Sequence, residues 1–137
     1  MQIEFLKQYK NKIVLITGVS GQIGNFTVKF FLKLGCIVYG ADIKKLKINS
    51  NKFFFRQLDI SDAIKTQNLI NEIYKKHKRI DIVINNAAVS YKTNFKNRTS
   101  KELKETIEIN LLSPINIIKN IAKKHNSKSI CKIINIG

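Results

Sequence analysis

The chain has 137 residues, 44% of them hydrophobic, so it is long enough for one domain with a core and too apolar for wholesale disorder. The formal net charge of +16 suggests nucleic-acid binding, but 22 of the 25 basic residues are Lys, spread along the whole chain. A solvated basic surface is therefore the preferred interpretation, and an RNA-associating module is the alternative. No apolar stretch approaches the ~20 residues that span a bilayer, and the first residues lack the apolar segment of a signal peptide, so we expect a cytoplasmic protein without a membrane partner.

The two cysteines, Cys36 and Cys131, each begin a short apolar run. In a cytoplasmic chain, such cysteines are expected to be buried free thiols. The sequence contains no Cys-x-x-Cys pair and no Cys/His cluster, so no metal site is predicted.

The first predicted elements are a buried strand at 12–17, a helix over 22–34 and a second strand at 36–41. The helix is expected to end at Gly35, which suits the position after a last helical turn. A lysine-rich connector leads to a third strand at 53–55. The apolar face of the helix is predicted to comprise Ile23, Phe26, Thr27, Phe30, Phe31 and Leu34.

The second helix is predicted to have Ser61 as its N-cap and Asp62 in its first turn, where a negative charge suits the helix dipole. The helix is expected to end in a run of Lys and His near residue 78, and a fourth strand is predicted at 80–85. The predicted apolar face of this helix comprises Ala63, Ile64, Ile70, Ile73 and Tyr74.

After a polar loop, Thr99 begins a capping box that predicts the start of a third helix. This helix runs from about 100 to 125, with a kink predicted at Pro114, and a fifth strand follows at 130–136. Its residues at helical spacing are Leu103, Ile107, Leu111, Ile118 and Ile121.

The order β-α-β-β-α-β-α-β, with nearly continuous apolar strands, is typical of a parallel sheet covered by helices on both faces. We therefore predict an α/β, doubly wound fold. The sequence contains no internal repeat and no low-complexity tract, so residues 1–137 are interpreted as a single domain.

The segment between the first strand and the first helix reads TGVSGQIG and contains Gly18, Gly21 and Gly24. Glycines in this context let the backbone turn tightly and approach a pyrophosphate at the positive amino end of a helix. The segment therefore predicts a dinucleotide site. The alternative is a glycine-rich turn without a ligand.

Asp42 directly follows the second strand, 18 residues after Gly24. An acid at this position can accept hydrogen bonds from an adenosine ribose and repels a 2′-phosphate, which favours NAD over NADP. Lys44 and Lys45 are close enough to weaken that preference. The alternative is a solvated loop aspartate.

Taken together, these features resemble the short-chain dehydrogenase/reductase family from about residue 12 to residue 137. The further motifs that carry the resemblance are Leu58-Asp59-Ile60, Asn85-Asn86-Ala87-Ala88, and Asn110 within EINLLSP. The resemblance implies a Rossmann-type sheet with strand order 3-2-1-4-5, incomplete at its carboxyl-terminal side. It also implies NAD-dependent hydride transfer between a nicotinamide cofactor and an alcohol or carbonyl substrate, in a family whose members are usually homo-oligomers.

The resemblance also implies roles for individual residues. Asn110 matches an asparagine that holds a water in the family's proton relay; the alternative is a polar residue that seals a helix kink near Pro114. The implied contacts with the pyrophosphate are made by Gly18, Ser20, Gly21, Ile23 and Gly24. Asp59 and Ile60 would flank the adenine. The residues implied to line the cofactor beside the fourth strand are Asn86, Ala87 and Ala88.

The motifs leave the substrate class open. The spacing TGxxGxxG is typical of the family's extended branch, which acts largely on nucleotide sugars, whereas NNAA resembles the NNAG of the other main branch. The substrate is thus either a small alcohol or ketone, or a sugar or sugar nucleotide.

The resemblance places a catalytic serine one or two residues past Gly137 and a Tyr-x-x-x-Lys pair further on. Tyr74 and Lys78 match that pair in letters only, because they precede the fourth strand. The chain is therefore expected to carry the cofactor-binding half of a dehydrogenase. A nucleotide-binding fragment without turnover is the alternative.

Overall fold

The computed structural model describes residues 6–126 and 129–137. The prediction that the first residues lack the apolar segment of a signal peptide falls partly on residues 1–5, which lie outside the described residues. No helix in the described part of the chain is long and apolar enough to cross a membrane.

Five parallel strands form one sheet in the order β3-β2-β1-β4-β5. The predicted doubly wound fold and its strand order are confirmed. The strands are β1 (Ile13–Thr17), β2 (Ile37–Asp42), β3 (Phe53–Gln57), β4 (Ile82–Asn85) and β5 (Lys132–Asn135). The sheet changes its winding direction between β1 and β4, which is where α/β folds place their ligands.

In the described parts of the chain, four α-helices and two irregular turns connect the strands. The helices are α1 (Gln22–Lys33), α2 (Ala63–His77), α3 (Ser100–Ile107) and α4 (Ser113–Ala122). A 3₁₀ turn at Phe95–Asn97 precedes α3, and a π-helical turn at Glu108–Leu112 joins α3 to α4.

The sheet has a hydrophobic core on each face, because side chains of a strand alternate between the faces. One core lies under α2 and α4 and includes Leu15, Ile70, Ile73, Val83 and Ile117. The other lies under α1 and includes Val14, Ile16, Val28, Phe31 and Ile84. The central strands β1, β2 and β4 are thus covered on both faces, as the apolar strands predicted, whereas the four residues of β5 are exposed.

The predicted buried face of α1 is largely wrong. Ile23, Phe26 and Phe30 are 58%, 70% and 48% exposed, whereas Gly24, Val28 and Phe31 are buried. Gly24 lies so close to Gly18 that no side chain fits between them, and this contact sets the rotation of the helix. The largest apolar side chains therefore do not mark the face that packs on the sheet.

The predicted N-cap of α2 is also wrong. Asp62, not Ser61, is the N-cap, and its carboxylate accepts the Lys65 N–H at 3.0 Å. The Ser61 hydroxyl instead donates to Asp59 Oδ1 at 2.7 Å. Ala63 and Ile64 of the predicted apolar face are exposed; the buried residues of α2 are Thr66, Leu69, Ile70 and Ile73.

The predicted capping box at Thr99 is present, with Glu102 as its second member. The expected interruption of the third helix is a π-helical turn that ends one residue before Ser113, whose hydroxyl donates to the Glu108 carbonyl at 2.7 Å. Pro114 has no N–H to donate to a carbonyl of the preceding helical turn, which explains why the pattern of helical hydrogen bonds changes at this point. Of the predicted apolar row, Leu103, Ile107 and Leu111 are exposed, Ile118 is half-buried and Ile121 is buried.

Cys36 is a buried free thiol, and burial together with the Asp81 charge raises its pKa to about 11. Cys131 is also free but only half-buried. Three strand positions separate β2 from β5, which is too far for a disulfide between residues at their ends.

The carboxyl end of α2 is joined to the sheet by a polar pair. His77 Nε2 lies 2.9 Å from the hydroxyl of Tyr39, a residue with 0% exposure. Burial lowers the pKa of His77, and the charges of Lys76 and Arg79 lower it further. The neutral imidazole is therefore favoured in the folded chain.

Candidate functional site

The loop between β1 and α1 depends on glycine at two positions. Gly18 has a φ of 69°, and a Cβ there would lie 2.7 Å from the Ala87 Cα. A Cβ at Gly24 would lie 2.1 Å from the Gly18 carbonyl oxygen. Both distances are shorter than side chains tolerate, so the fold of the loop itself requires these two glycines.

Gly21 has a different environment. Its backbone is extended (φ −74°, ψ 167°), it is exposed, and a Cβ there would have room, with its nearest neighbour at 3.5 Å. Gly21 is also the N-cap of α1, and no side chain of the described residues caps the first N–H groups of that helix. These donors at the positive end of a 12-residue helix are suited to an anion.

Asp42 ties the loop to the end of β2. One carboxylate oxygen accepts the Ser20 N–H at 2.9 Å, and the other accepts the Lys44 N–H at 2.8 Å. The Ser20 hydroxyl in turn donates to the Lys44 carbonyl at 2.7 Å. Each carboxylate oxygen still has a lone pair for a further donor.

Asn86 and Thr17 hold the loop against the end of β4. The Thr17 hydroxyl oxygen accepts the N–H groups of Asn86 and Ala87, both at 3.0 Å. The Asn86 amide donates to the carbonyls of Thr17 and Gly18, also at 3.0 Å. Thr17 was not among the predicted site residues, although its place directly before Gly18 in the motif was the available signal.

Asp59 and Ile60 lie on the β3 side of the site. Asp59 is exposed, and one of its oxygens accepts both the N–H and the hydroxyl of Ser61. Ile60 is buried and belongs to the core under α2 and α4.

Asn110 lies in the π-helical turn, and its side chain is engaged with one residue. Its Oδ1 accepts the Val89 N–H at 2.8 Å, and its Nδ2 donates to the Val89 carbonyl at 2.9 Å. Asn110 does not line the cleft described below, whereas its neighbour Ile109 does. Its side chain therefore anchors the loop after β4 to the helix.

The same loop is fixed further along its length. The Tyr91 hydroxyl donates to the Glu105 carboxylate, a hydrogen bond that raises the pKa of Tyr91. The Thr93 hydroxyl donates to Glu102 at 2.7 Å, and Arg98 donates to the Tyr91 carbonyl at 3.0 Å. Sequence reasoning missed these contacts, because they join polar residues without periodicity.

These segments surround a cleft of about 540 Å³ at the carboxyl ends of the central strands. All eleven residues predicted as cofactor contacts line it: Gly18, Ser20, Gly21, Ile23, Gly24, Asp42, Asp59, Ile60, Asn86, Ala87 and Ala88. The lining residues that were not predicted as contacts are Gln22, Ala41, Ile43, Lys44, Leu58, Val89 and Ile109. Each of them lies within two residues of a predicted residue in the sequence. The cleft combines apolar walls, open backbone donors and carboxylates at one edge.

Tyr74 and Lys78 lie away from this cleft. Tyr74 packs against the core under α2 and α4, and burial raises its pKa. Lys78 follows the last residue of α2 with a left-handed backbone. Neither residue lines the cleft, so this pair is not part of the candidate site.

The family model described as short chain dehydrogenase matches residues 12–137. A protein of Saccharomyces cerevisiae named as an uncharacterized oxidoreductase is 33% identical over 132 residues, which cover 93% of this chain and 43% of that protein. The 3-oxoacyl-(acyl-carrier-protein) reductase FabG of Buchnera aphidicola is 32% identical and is matched over 89% of this chain and 52% of its own length.

Among solved structures, a short chain dehydrogenase from Leptospira borgpetersenii with bound NAD+ is 30% identical, with a TM-score of 0.90. The match covers 97% of this chain and 54% of that one. The chain thus spans about half the length of the relatives that it matches.

Proposed function

Because the chain belongs to the short-chain dehydrogenase family, we propose that its cleft binds NAD(H) for an oxidoreductase that interconverts an alcohol and a carbonyl compound. The cofactor, when bound, supplies or accepts the hydride at its nicotinamide ring.

The arrangement of the glycine loop between Asp42 and Asn86 carries this proposal. The uncapped N–H groups at the start of α1 receive the pyrophosphate, and the absence of a side chain at Gly21 lets it approach the backbone. Asn86 and Thr17 hold the loop in this conformation through hydrogen bonds within the protein itself. Such preorganisation reduces the entropy lost on binding.

The remaining cofactor contacts follow from the positions around the cleft. The Asp42 carboxylate accepts the adenosine ribose hydroxyls with its free lone pairs. Asp59 and Ile60 flank the adenine, while Ala87 and Ala88 line the opposite wall near β4. Asn110 acts as a positioning residue, because it fixes Val89 at the edge of this wall.

NAD is the preferred cofactor in this proposal. A 2′-phosphate on the ribose would be placed against the Asp42 carboxylate, which repels it. Lys44 also lines the cleft and opposes that repulsion in part. The NAD+ bound to the Leptospira relative supports the same preference.

A small ketone or alcohol is the substrate class that we favour over a sugar nucleotide. The Buchnera relative is named as a 3-oxoacyl reductase, and a relative from Bacteroides thetaiotaomicron, 28% identical, is named as a 3-ketodihydrosphingosine reductase. Both names describe the reduction of a ketone.

For residues 1–137 we propose cofactor binding alone. The catalytic reaction is proposed for the whole oxidoreductase. The serine and the Tyr-x-x-x-Lys pair implied by the resemblance are not among residues 1–137. Loss of such a proton relay typically lowers the rate by about 10²–10⁴-fold.

Titration of the chain with NADH, followed by nicotinamide fluorescence, tests the proposal. Gly21→Val adds a side chain where the fold has room but the pyrophosphate must lie, so we expect NADH affinity to fall at least tenfold while the thermal unfolding temperature is unchanged. Gln67→Val, at an exposed position of α2, is the matched control and should bind normally. Equal NADH affinity in Gly21→Val and the wild type would refute the proposed site.

A further inference from the structure

The fold gathers at one end of the molecule many of the lysines that are spread along the sequence. In a doubly wound sheet the strands all run in one direction and the helices return in the other, so strand starts and helix ends lie together, opposite the cleft. We call this end the amino-end face. Its cations, all of which precede β4 in the chain, are Lys7, Lys10, Lys12, Lys33, Lys52, Lys75, Lys76, Lys78 and Arg79.

Contacts around Asn11 show that several of these cations share one surface. The Lys52 ammonium group donates to Asn11 Oδ1 at 3.1 Å and to the Gly35 carbonyl at 2.9 Å. The Arg79 guanidinium group donates to the Asn11 carbonyl at 3.4 Å. Lys10 packs on Gly35, since a Cβ at Gly35 would lie 3.5 Å from the Lys10 Cγ. The starts of β1, β3 and β4 and the end of α1 therefore meet at this point.

Acidic side chains do not balance the charge of the amino-end face. In the described part of the chain, the acid at this face is Asp81, which is 8% exposed and already paired with Lys12 at 3.2 Å and Arg79 at 3.0 Å. Asp42 and Asp59 lie at the cleft instead. Within the described residues, the lysines of this face without a carboxylate or amide partner are Lys7, Lys10, Lys33, Lys75, Lys76 and Lys78.

The helix dipole explains only part of this charge. Lysines in the last turn of a helix are favoured by its negative end, and Lys33 of α1 and Lys75 and Lys76 of α2 have such positions. That preference does not apply to cations that precede strands, such as Lys10 and Lys52. Repulsion among like charges costs free energy, and a bound polyanion relieves it.

We propose that the amino-end face binds single-stranded nucleic acid through its phosphates, at the end of the sheet opposite the cofactor cleft. Lysine ammonium groups are point charges that attract phosphates without regard to base sequence. The cations lie on both sides of the sheet, with Lys33 at the end of α1 and Lys75 at the end of α2. A ligand that contacts both must cross the end of the sheet, and a flexible single strand can follow that path.

An anionic membrane fits this face less well. Basic surfaces that bind membranes also insert apolar side chains into the lipid. Among the described residues before β4, Leu6 is the one large, exposed apolar residue near the amino-end face. The others lie on α1, at the cleft or at the start of α2, and are Ile23, Phe26, Phe30, Ile43 and Ile64.

The dependence of this binding on salt follows from the number of phosphates contacted. On a single strand, each phosphate contact contributes about −0.7 to the slope of log affinity against log salt concentration. The lysines without a partner allow about three to six contacts, so we expect a slope of about −2 to −4. Affinity should then fall about 10²–10⁴-fold between about 50 and 500 mM NaCl.

Fluorescence anisotropy with labelled oligouridylate RNA and oligothymidylate DNA tests the proposal, with strands of about 20 nucleotides to exceed the usual site sizes. The triple variant Lys75→Gln/Lys76→Gln/Lys78→Gln removes up to three contacts and should make the slope less steep by about 2. A second triple variant changes the same face on other elements, so it gives the answer if the first does not fold. It is Lys7→Gln/Lys10→Gln/Lys33→Gln.

The matched control removes the same charge from the cleft end of the molecule. Lys92 and Lys96 are exposed in the loop after β4, and Lys104 is exposed on α3. Lys92→Gln/Lys96→Gln/Lys104→Gln should therefore leave the slope unchanged. Saturating NADH should also leave the affinity for the oligonucleotides unchanged, because the cleft lies at the other end of the sheet.

Four results would overturn the proposal. Equal changes in the control and in the variants of the amino-end face would mean that the net charge alone attracts the strand. Displacement by NADH would place the nucleic acid in the cleft. The other two are the absence of binding to both oligonucleotides at about 50 mM NaCl, and tighter binding to vesicles of equal phosphatidylserine and phosphatidylcholine than to either oligonucleotide.

Discussion

Replacement of Asp42 separates cofactor preference from the integrity of the site. Asp42→Asn keeps the size of the side chain and removes its charge. The amide has one acceptor oxygen for the two N–H groups, of Ser20 and Lys44, that the carboxylate now accepts. A loosened loop would weaken the binding of NADH and of NADPH together. The ratio of their dissociation constants is therefore the informative quantity.

The expected change in this ratio follows from the lost interaction. A hydrogen bond to a charged group contributes about 1.5–3 kcal/mol, so NADH affinity is expected to fall roughly ten- to a hundredfold. NADPH should lose less or gain, because removal of the carboxylate ends the repulsion of its 2′-phosphate and leaves Lys44 beside it. Asp42→Ala should shift the ratio in the same direction, with weaker binding of both cofactors.

Calorimetric titration of both cofactors provides the measurement. Asp59→Asn is the matched control, since it removes the same charge from a carboxylate that lines the same cleft. In our account Asp59 contacts the adenine, which both cofactors share, so this variant leaves the ratio unchanged. If Asp42→Asn moves the ratio no more than Asp59→Asn does, Asp42 does not contact the ribose and the preference for NAD is wrong.

Three further variants test the local structure. Gly24→Ala places a Cβ against the Gly18 carbonyl and should lower stability by about 1–3 kcal/mol or more, measured as the thermal midpoint by circular dichroism. The pKa of His77 is lowered in the fold, so the unfolded chain binds the proton first and stability should fall as pH drops below the ordinary value of 6.5; His77→Gln should flatten this slope in urea titrations at several pH values. Asn110→Ala removes both bonds to Val89 and should speed hydrogen exchange of the Val89 N–H, whereas a role confined to holding a water would leave that rate unchanged.

The arrangement of strands could be predicted because it depends on patterns that are local in the sequence. A buried parallel strand is apolar along its length, as in Ile13–Thr17, and a glycine-rich segment directly after it marks the turn into α1. The cleft is formed at the ends of such strands, so its lining follows from the same pattern. Only neighbours such as Gln22 and Ile109 were missed.

The orientation of the helices could not be predicted in the same way. Phe26 and Phe30 predict one buried side of α1. The close contact of Gly24 with Gly18 instead places a face with smaller side chains against the sheet. The apolar spacing also predicts a buried Ile64, but Ile64 is exposed and Thr66 is buried on α2. The apolar residues alone therefore do not reveal which side of a helix packs on the sheet.

We propose that the cleft of this chain binds a nicotinamide dinucleotide. Amide chemical shifts recorded during titration with NAD+ test it most directly, because they report the location of the ligand as well as its affinity. We expect the largest shifts at Gly18–Gly24, at Asp42 and Lys44, and at Asn86 to Val89, with a saturating dependence on NAD+ concentration. Shifts spread over the lysine-rich surface, or no saturable shifts at these residues, would contradict the account.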